Sequence, residues 1–413
     1  MLIQRTEYHD KISRAFRFLP ITVLIGARQV GKTSIMKSFP TKDYRDTLFL
    51  NGQDIDVAER FQSLATIEQY LSIYLNPEIE GLLLIDEFQF IQGISTMMKL
   101  LTDKYEKLHI LCSGSSSLDI LQNVEESLAG RVRIIEVLSL SFREYIKFKD
   151  PKLFQLYDAM SDGKDATLTE PFQKLYNDYL VFGGLPRVTF ADNSEDKIAL
   201  LNDIYQTYLL NDVRRYVANE HFVGFGRLLR LLAAQTGNLV NVNELSRESG
   251  LTYVACEKYL YLLQSMYIIR FIEPYSTNKR KVIGKMNKVY FYDLGLRNII
   301  YNNFNEITFR TDNGALFENE IMLEHWRKRK AGDALCFYRT KTGVEVDFIL
   351  YGPQRKVITE CKYKRLIKPV SIVSLNNIAE EEGISDRYIA NINLDAEYRN
   401  CRLIPGCLIT KVL

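Results

Sequence analysis

ITVLIGARQVGKTSIMKSF, residues 21–39, runs from a strand through a glycine turn into a helix. Ile21-Thr22-Val23-Leu24-Ile25 is an unbroken apolar, β-branched run, the composition of a strand buried on both faces of a parallel sheet. Gly26-Ala27-Arg28-Gln29-Val30-Gly31-Lys32-Thr33 then fits G-x-x-x-x-G-K-[ST], followed by Ser34. The two glycines let the backbone curl until successive N–H groups point into one concavity. A helix opening at Lys32 aims the positive end of its dipole at the same spot. Residues Gly26 to Ser34 therefore read as a cradle for the phosphates of ATP. Lys32 would reach the β- and γ-phosphates, and Thr33 would offer its hydroxyl to Mg²⁺. A chance glycine loop is the alternative, and the strand before and helix after argue against it.

A nucleotide site needs further parts, and three segments supply candidates. In GLLLIDEFQF, Leu82 to Ile85 form a second apolar strand with Asp86 and Glu87 at its C-terminal end. Asp86 would hold Mg²⁺, mostly through water, and Glu87 would polarise the attacking water. In LHILCSGSSS, a strand over 108–112 ends at Ser113, a small polar group placed to orient water near the γ-phosphate. An ordinary Ser/Gly turn has the same composition. In SLAGRVRIIEVLSLSFREY, Arg131 or Arg133 precedes the next strand. Either suits an arginine finger, in its own site or across a subunit contact; the plain alternative is a surface residue.

Taken together, these residues resemble the AAA-type P-loop ATPases. More narrowly, the GxRQVGKT loop, the IDEFQ segment, the GSSS turn and the LAGR element resemble the prokaryotic "archaeal ATPase-like" group. FGGLPRV, from Phe182 to Val188, fits the same plan, so the resemblance covers most of the chain. It implies an ATPase core built on a parallel sheet with the P-loop strand central, followed by an uncharacterised C-terminal region. The cellular role of that group is largely unsettled, so the resemblance speaks to chemistry more than to pathway.

The bulk numbers agree with a multidomain globular chain. At 413 residues, two or three domains of roughly 100–200 residues are expected. Hydrophobic content of 46% and charged content of 25% are ordinary for a globular protein. The net charge of +2 neither demands nor excludes a nucleic-acid partner, because local patches matter more than the sum. Six scattered cysteines without a CxxC pair, and four histidines, argue against a zinc site or a disulfide frame. The N-terminal MLIQRTEYHDKISRAF lacks the apolar core of a signal peptide. No apolar run approaches the ~20 residues of a membrane helix. A cytoplasmic protein with no membrane contact is expected.

From Ser141 to about Val240 the pattern turns helical, in SFREYIKF, PFQKLYNDYLVF and beyond, and reads as a lid over the nucleotide. VNELSRESGLTYVACEKYLYLL then reads as helix–turn–helix. Val242 and Leu245 point inward in the first helix, which ends near Gly250; Thr252 caps a second that buries Val254, Leu260 and Leu263. Strand-like YIIRFIEPY and VYFYD flank a basic loop, which makes a winged helix. Lys279, Arg280, Lys281, Lys285 and Lys288 of that wing would grip phosphates. The second helix exposes Tyr253, Glu257 and Lys258, a face poor in positive charge, so DNA and a protein partner both stay open.

In the last hundred residues, GALFENEIMLEHW is helical and carries Glu318 and Glu324. LCFYRTKTGVEVDFIL reads as two strands joined at Thr342-Gly343, with Asp347 inside the second. KVITECKYKR is a third strand with Glu360 and Lys362 on one face. Buried carboxylates at Asp347 and Glu360 on neighbouring strands repel unless a cation lies between them. With Glu318 completing the cage and Lys362 beside it, the set suits Mg²⁺-assisted phosphodiester hydrolysis. Asp347, Glu360 and Lys362 resemble the D…ExK residues of the PD-(D/E)xK nuclease superfamily.

The expected fold class is α/β: a P-loop NTPase parallel sheet with a helical lid, then a winged helix, then a small α/β nuclease-like domain. The expected boundaries are 1–140, 141–220, 221–303 and 304–413. The expected function is Mg²⁺-dependent binding and hydrolysis of ATP, coupled to nucleic acid through the C-terminal domains. The alternative is an ATP-switched protein-interaction module with an inactive nuclease-like fold. A homo-oligomer or a protein partner fits either.

Overall fold

The computed structural model describes residues 4–76, 80–114, 127–160, 170–276, 286–340, 343–368 and 371–413. The wing lysines and arginine at 279–281 and 285, the serines at 115–117, and Thr342 lie outside the described residues. The chain divides into two compact units, Met1–Leu138 with Ser265–Tyr267, and Ser139–Gln264 with Ile268–Leu413.

The first unit is built on five parallel strands: β1 (Ile21–Ile25), β2 (Asp46–Asn51), β3 (Gly81–Asp86), β4 (Leu108–Ser113) and β5 (Val132–Glu136), in the order β2-β3-β4-β1-β5. β1 and β3 are buried along their whole lengths, as their unbroken apolar runs require. β1 is interior, flanked by β4 and β5, while β4 holds the middle of the sheet. Because β1 lies beyond β3 and β4 from β2, the connections change direction at β1. The crevice beyond the strand C-termini at such a switch point is where open α/β sheets bind ligands.

In the second unit, β6 (Ile269–Pro274) and β7 (Lys288–Phe291) form an antiparallel hairpin. β8 (Ala334–Arg339), β9 (Glu345–Tyr351), β10 (Lys356–Cys361), β11 (Asp386–Asn391), β12 (Ala396–Tyr398) and β13 (Cys401–Pro405) continue the same sheet, ordered β12-β13-β11-β10-β9-β8-β6-β7. β6 joins β8 at Glu273 and Pro274. One sheet thus runs across the boundary expected at 303/304, because the hairpin finds its neighbour in β8. Val346, Ile349, Ile358, Leu375, Ile389 and Leu403 form a core beneath its far half.

The helices expected as a lid pack into this second unit. Phe142 meets Tyr176 edge-on with ring centres 4.8 Å apart, and Tyr176 meets Phe317 at 6.3 Å. Tyr157 donates to the carbonyl of Cys407 at 2.9 Å, and Asn298 donates to that of Val181 at 2.8 Å. Their apolar faces are therefore committed to residues of the C-terminal region, which a freely swinging lid would not allow.

Helices Val242–Ser249 and Tyr253–Ser265 join through Gly250, whose φ of +77° ends the first in the left-handed region. The Thr252 hydroxyl accepts from Ala255 N at 3.2 Å, a cap on the second. Leu245, Leu260 and Leu263 are buried, but Val254 is 73% exposed. It shares the outer face with Lys258 and Tyr261, while the inward stripe falls on Ala255, Cys256, Tyr259 and Leu263. Val254 and Leu263 are nine residues apart, about half a turn out of phase at about 100° per residue, so both cannot lie on one face.

Candidate functional site

The parallel register sets three side chains at one level. Leu24 pairs with Ser113, Ile85 with Cys112 and Asn51 with Asp86, so the ends of β1, β3 and β4 open onto one crevice. The turn after β1 has φ +146° at Gly26, +64° at Gln29 and +96° at Gly31. A Cβ on Gly26 would lie 2.2 Å from the carbonyl oxygen of Val137, so no other residue fits there. Helix Lys32–Lys37 then begins, as the quoted stretch implies.

Asp86 is the hub of the crevice. Thr33 Oγ1 donates to its Oδ2 at 2.8 Å, and the wholly buried Ser113 donates to its Oδ1. Lys32 Nζ donates to the carbonyls of Gly26 at 3.0 Å and Ala27 at 2.8 Å, folding its ammonium back over the loop. Burial pushes the Lys32 ammonium down to about 8, against the pull of Glu87 and Asp86. Glu87 takes φ +50°, ψ +43°, which turns its side chain out of the strand, and Gln89 Nε2 donates to its Oε2 at 2.5 Å. A hydroxyl and a carboxylate at hydrogen-bond distance are hard oxygen donors of the kind Mg²⁺ takes alongside phosphate oxygens and water.

A second constellation lies at the hairpin end of the C-terminal sheet. Lys288 is 3% exposed, and its Nζ lies 2.6 Å from Glu345 Oε1, 3.1 Å from Glu318 Oε1 and 3.6 Å from Asp347 Oδ1. Tyr290 donates to Glu318 at 2.6 Å, Cys361 N donates to Asp347 Oδ2 at 2.7 Å, and Lys362 Nζ donates to Glu360 Oε1 at 2.5 Å. Burial, then the charge of Asp347, pushes Glu318 and Glu360 up to about 7. Burial raises Asp347 as well, against Lys288. Lys288 itself is raised, since Glu318, Asp347 and Glu345 together outweigh its burial. Among the described residues no group of three or more His, Cys, Asp or Glu is arranged to hold a metal ion. Glu324 is turned elsewhere, 2.7 Å from Arg327.

Residues 19–146 match the family described as AAA domain. Residues 19–138 of that match lie in the first unit. Residues 173–306 and 313–405 match two families described as domains of unknown function, DUF8612 and DUF4143. Uncharacterized protein MJ1544 of Methanocaldococcus jannaschii is 25% identical over 388 residues, 91% of this chain and 81% of that one. Uncharacterized protein Rv2008c of Mycobacterium tuberculosis is 25% identical over 350 residues, 84% of this chain and 71% of that one. Among solved structures, the chain is similar to the Walker-type ATPase PABY2304 of Pyrococcus abyssi, with TM-score 0.48, 14% identity, and 72% of this chain and 95% of that one covered. No helix among the described residues is long and apolar enough to cross a membrane.

Within the first unit, Arg131 stands apart from the crevice. Ile21 pairs with Val132 and Ile21 N donates to the Arg131 carbonyl at 3.2 Å, which puts Arg131 at the N-terminal end of the strands. Gly26 follows the opposite end of β1, roughly 15 Å away at ~3.3 Å per residue. Arg131 Nε and Nη2 instead grip Asp103 at 2.6 and 3.1 Å. It is not a finger for its own site. Arg133 pairs with Thr22, near the same end.

Sequence reasoning missed three groups. Arg5, 2% exposed, donates from Nη1 to the carbonyls of Val30 at 3.0 Å and Leu138 at 2.7 Å, which pins the P-loop to the chain beyond β5. Gln89, inside the IDEFQ segment, holds the Glu87 carboxylate. Lys288 belongs to the carboxylate cluster and is too buried to grip phosphates. Nothing local marks Arg5 or Lys288, since both act on residues far along the chain.

Proposed function

We propose that the protein is a Mg²⁺-dependent ATPase. The observation that carries this reading is Asp86, which gathers the hydroxyls of Thr33 and Ser113 at the mouth of the curled Gly26–Thr33 turn. The backbone amides of Gly26 to Ser34 bind the phosphates, and Lys32 swings from its carbonyl partners to the β- and γ-oxygens. Thr33 and Asp86 hold Mg²⁺, which supplies charge neutralisation at the phosphates. Glu87, released from Gln89, accepts a proton from the attacking water, and Ser113 orients that water. Measured ATP turnover in the purified chain, lost in Lys32→Ala, tests it; Mg²⁺-ATP that neither binds nor turns over would sink it.

We further propose that the second unit is a winged helix joined to a PD-(D/E)xK-like domain that couples nucleotide state to nucleic acid. The convergence of Glu318, Asp347, Glu360 and Lys362 supports it. ATPase assays with single-stranded, double-stranded and branched DNA, with the DNA checked for cuts, test both halves. One observation favours the other reading, a protein-docking module. The outer face of helix Tyr253–Ser265 presents Tyr253, Val254 and Tyr261, 43%, 73% and 60% exposed, with Lys258 as its cation. A DNA affinity that falls steeply with salt supports the nucleic-acid partner, and a flat or absent response supports the protein one.

A further inference from the structure

Arg5 immediately precedes helix Thr6–Phe16 and is 2% exposed. Its Nη1 donates to two carbonyls far apart in the chain, that of Leu138 at 2.7 Å and that of Val30 at 3.0 Å. Its guanidinium carbon lies 4.5 Å from the centre of the Tyr8 ring, and the Tyr8 hydroxyl accepts from Leu138 N at 3.0 Å. The backbone of Leu138 is thus held through both its N–H and its C=O. The residue before it is tied to the other end of the glycine turn. Val137 N donates to Ile25 O at 2.7 Å, and the Val137 carbonyl closes the space beside Gly26. Gly26 and Val30, at either end of the turn, are therefore both referenced to Val137-Leu138. The helix that carries Arg5 is itself held near both ends: His9 Nε2 lies 3.2 Å from Ile35 O, and His109 Nε2 lies 3.2 Å from Phe16 O.

We propose that Arg5 is a positioning residue of the nucleotide site: by holding the Val30 carbonyl it keeps the Gly31 N–H turned into the phosphate cradle. The proposal rests on the ATPase reading of Gly26 to Ser34. A trans peptide is planar, with its C=O and N–H on opposite sides, so an anchored Val30 oxygen dictates where the Gly31 N–H points. The anchor matters because Val30 sits between two residues in the left-handed region, Gln29 at φ +64° and Gly31 at φ +96°. That conformation is unfavourable for a residue with a Cβ and persists only where its surroundings over-determine it. Without the guanidinium the Val30–Gly31 peptide can rotate, and a carbonyl oxygen then faces the phosphates in part of the population. Nucleotide affinity falls by the fraction of molecules that keep the amide correctly turned.

Isothermal titration calorimetry of the full chain with Mg²⁺-ADP and Mg²⁺-ATP, at a temperature where circular dichroism shows each variant folded, tests this. Arg5→Met should weaken both nucleotides about tenfold, the factor for a competent population of about one molecule in ten. Tyr8→Phe keeps the ring under the guanidinium and deletes the acceptor of Leu138 N. It should lower the melting temperature and leave both affinities within about twofold. Parent-like affinity in folded Arg5→Met overturns the positioning role and leaves the ATPase reading standing; a parent chain that binds neither nucleotide overturns both. Equal losses of affinity in Tyr8→Phe and Arg5→Met also overturn the role, since the loss then follows the packing of the helix rather than the Val30 carbonyl. If Arg5→Met fails to fold, Arg5→Lys decides. Its shorter ammonium cannot hold both carbonyls, so both nucleotides should bind about threefold more weakly or worse, and unchanged affinity refutes the role.

Discussion

The Lys32 ammonium makes the nucleotide site pH-dependent in a calculable way. In the unfolded chain its pKa is 10.5, and burial in the folded protein lowers it to about 8. Between those values the unfolded chain binds more protons, so folding stability rises with pH across the window. Below about 8 the buried charge costs the free protein about 3 kcal/mol, at 1.36 kcal/mol per unit. On the proposed function a bound triphosphate removes that cost by pairing with the ammonium, so ATP binds the protonated form. At pH 7 about nine tenths of the free protein already carries the proton; at pH 9 about nine tenths lacks it. ATP binding should then take up about 0.1 proton at pH 7 and about 0.9 at pH 9, and the apparent Kd should rise about fivefold between pH 8 and pH 9. Isothermal titration calorimetry in buffers of different ionisation enthalpy reads the uptake directly. ATP binding at pH 9 without proton uptake would refute the assignment of Lys32 as a buried, phosphate-paired ammonium.

Glu87→Gln should keep ATP binding and slow turnover by about 10²-fold or more, measured by phosphate release; normal turnover removes Glu87 as the base. Arg131→Ala should leave turnover within about twofold and cost under about 1 kcal/mol in a denaturant melt, since it deletes only a surface pair with Asp103. Val254→Asp should change stability by no more than about 0.5 kcal/mol, whereas Leu263→Ala, 0% exposed, should cost about 2–5 kcal/mol. The reverse ranking would mean that the helix Tyr253–Ser265 is rotated from the orientation described.

What the sequence determined by itself is local. The strand, curled turn and helix around Lys32 are contiguous, so backbone sterics and an apolar run suffice to write them. Asp86 and Glu87 were legible for the same reason, as polar residues ending a buried run. The α/β class followed from the repetition of such runs. Tertiary structure decided everything that depends on which strands become neighbours. Parallel pairing of β5 with β1 carried Arg131 to the wrong end of the sheet, though its sequence position suits a finger. The joining of β6 to β8 erased an expected domain boundary and delivered Lys288 into a carboxylate cluster where a metal was anticipated. Strand order and hairpin direction are set by the summed packing of residues far apart in the chain, such as Glu273 with Cys336 and Ile21 with Val132, and no short window of sequence carries that information.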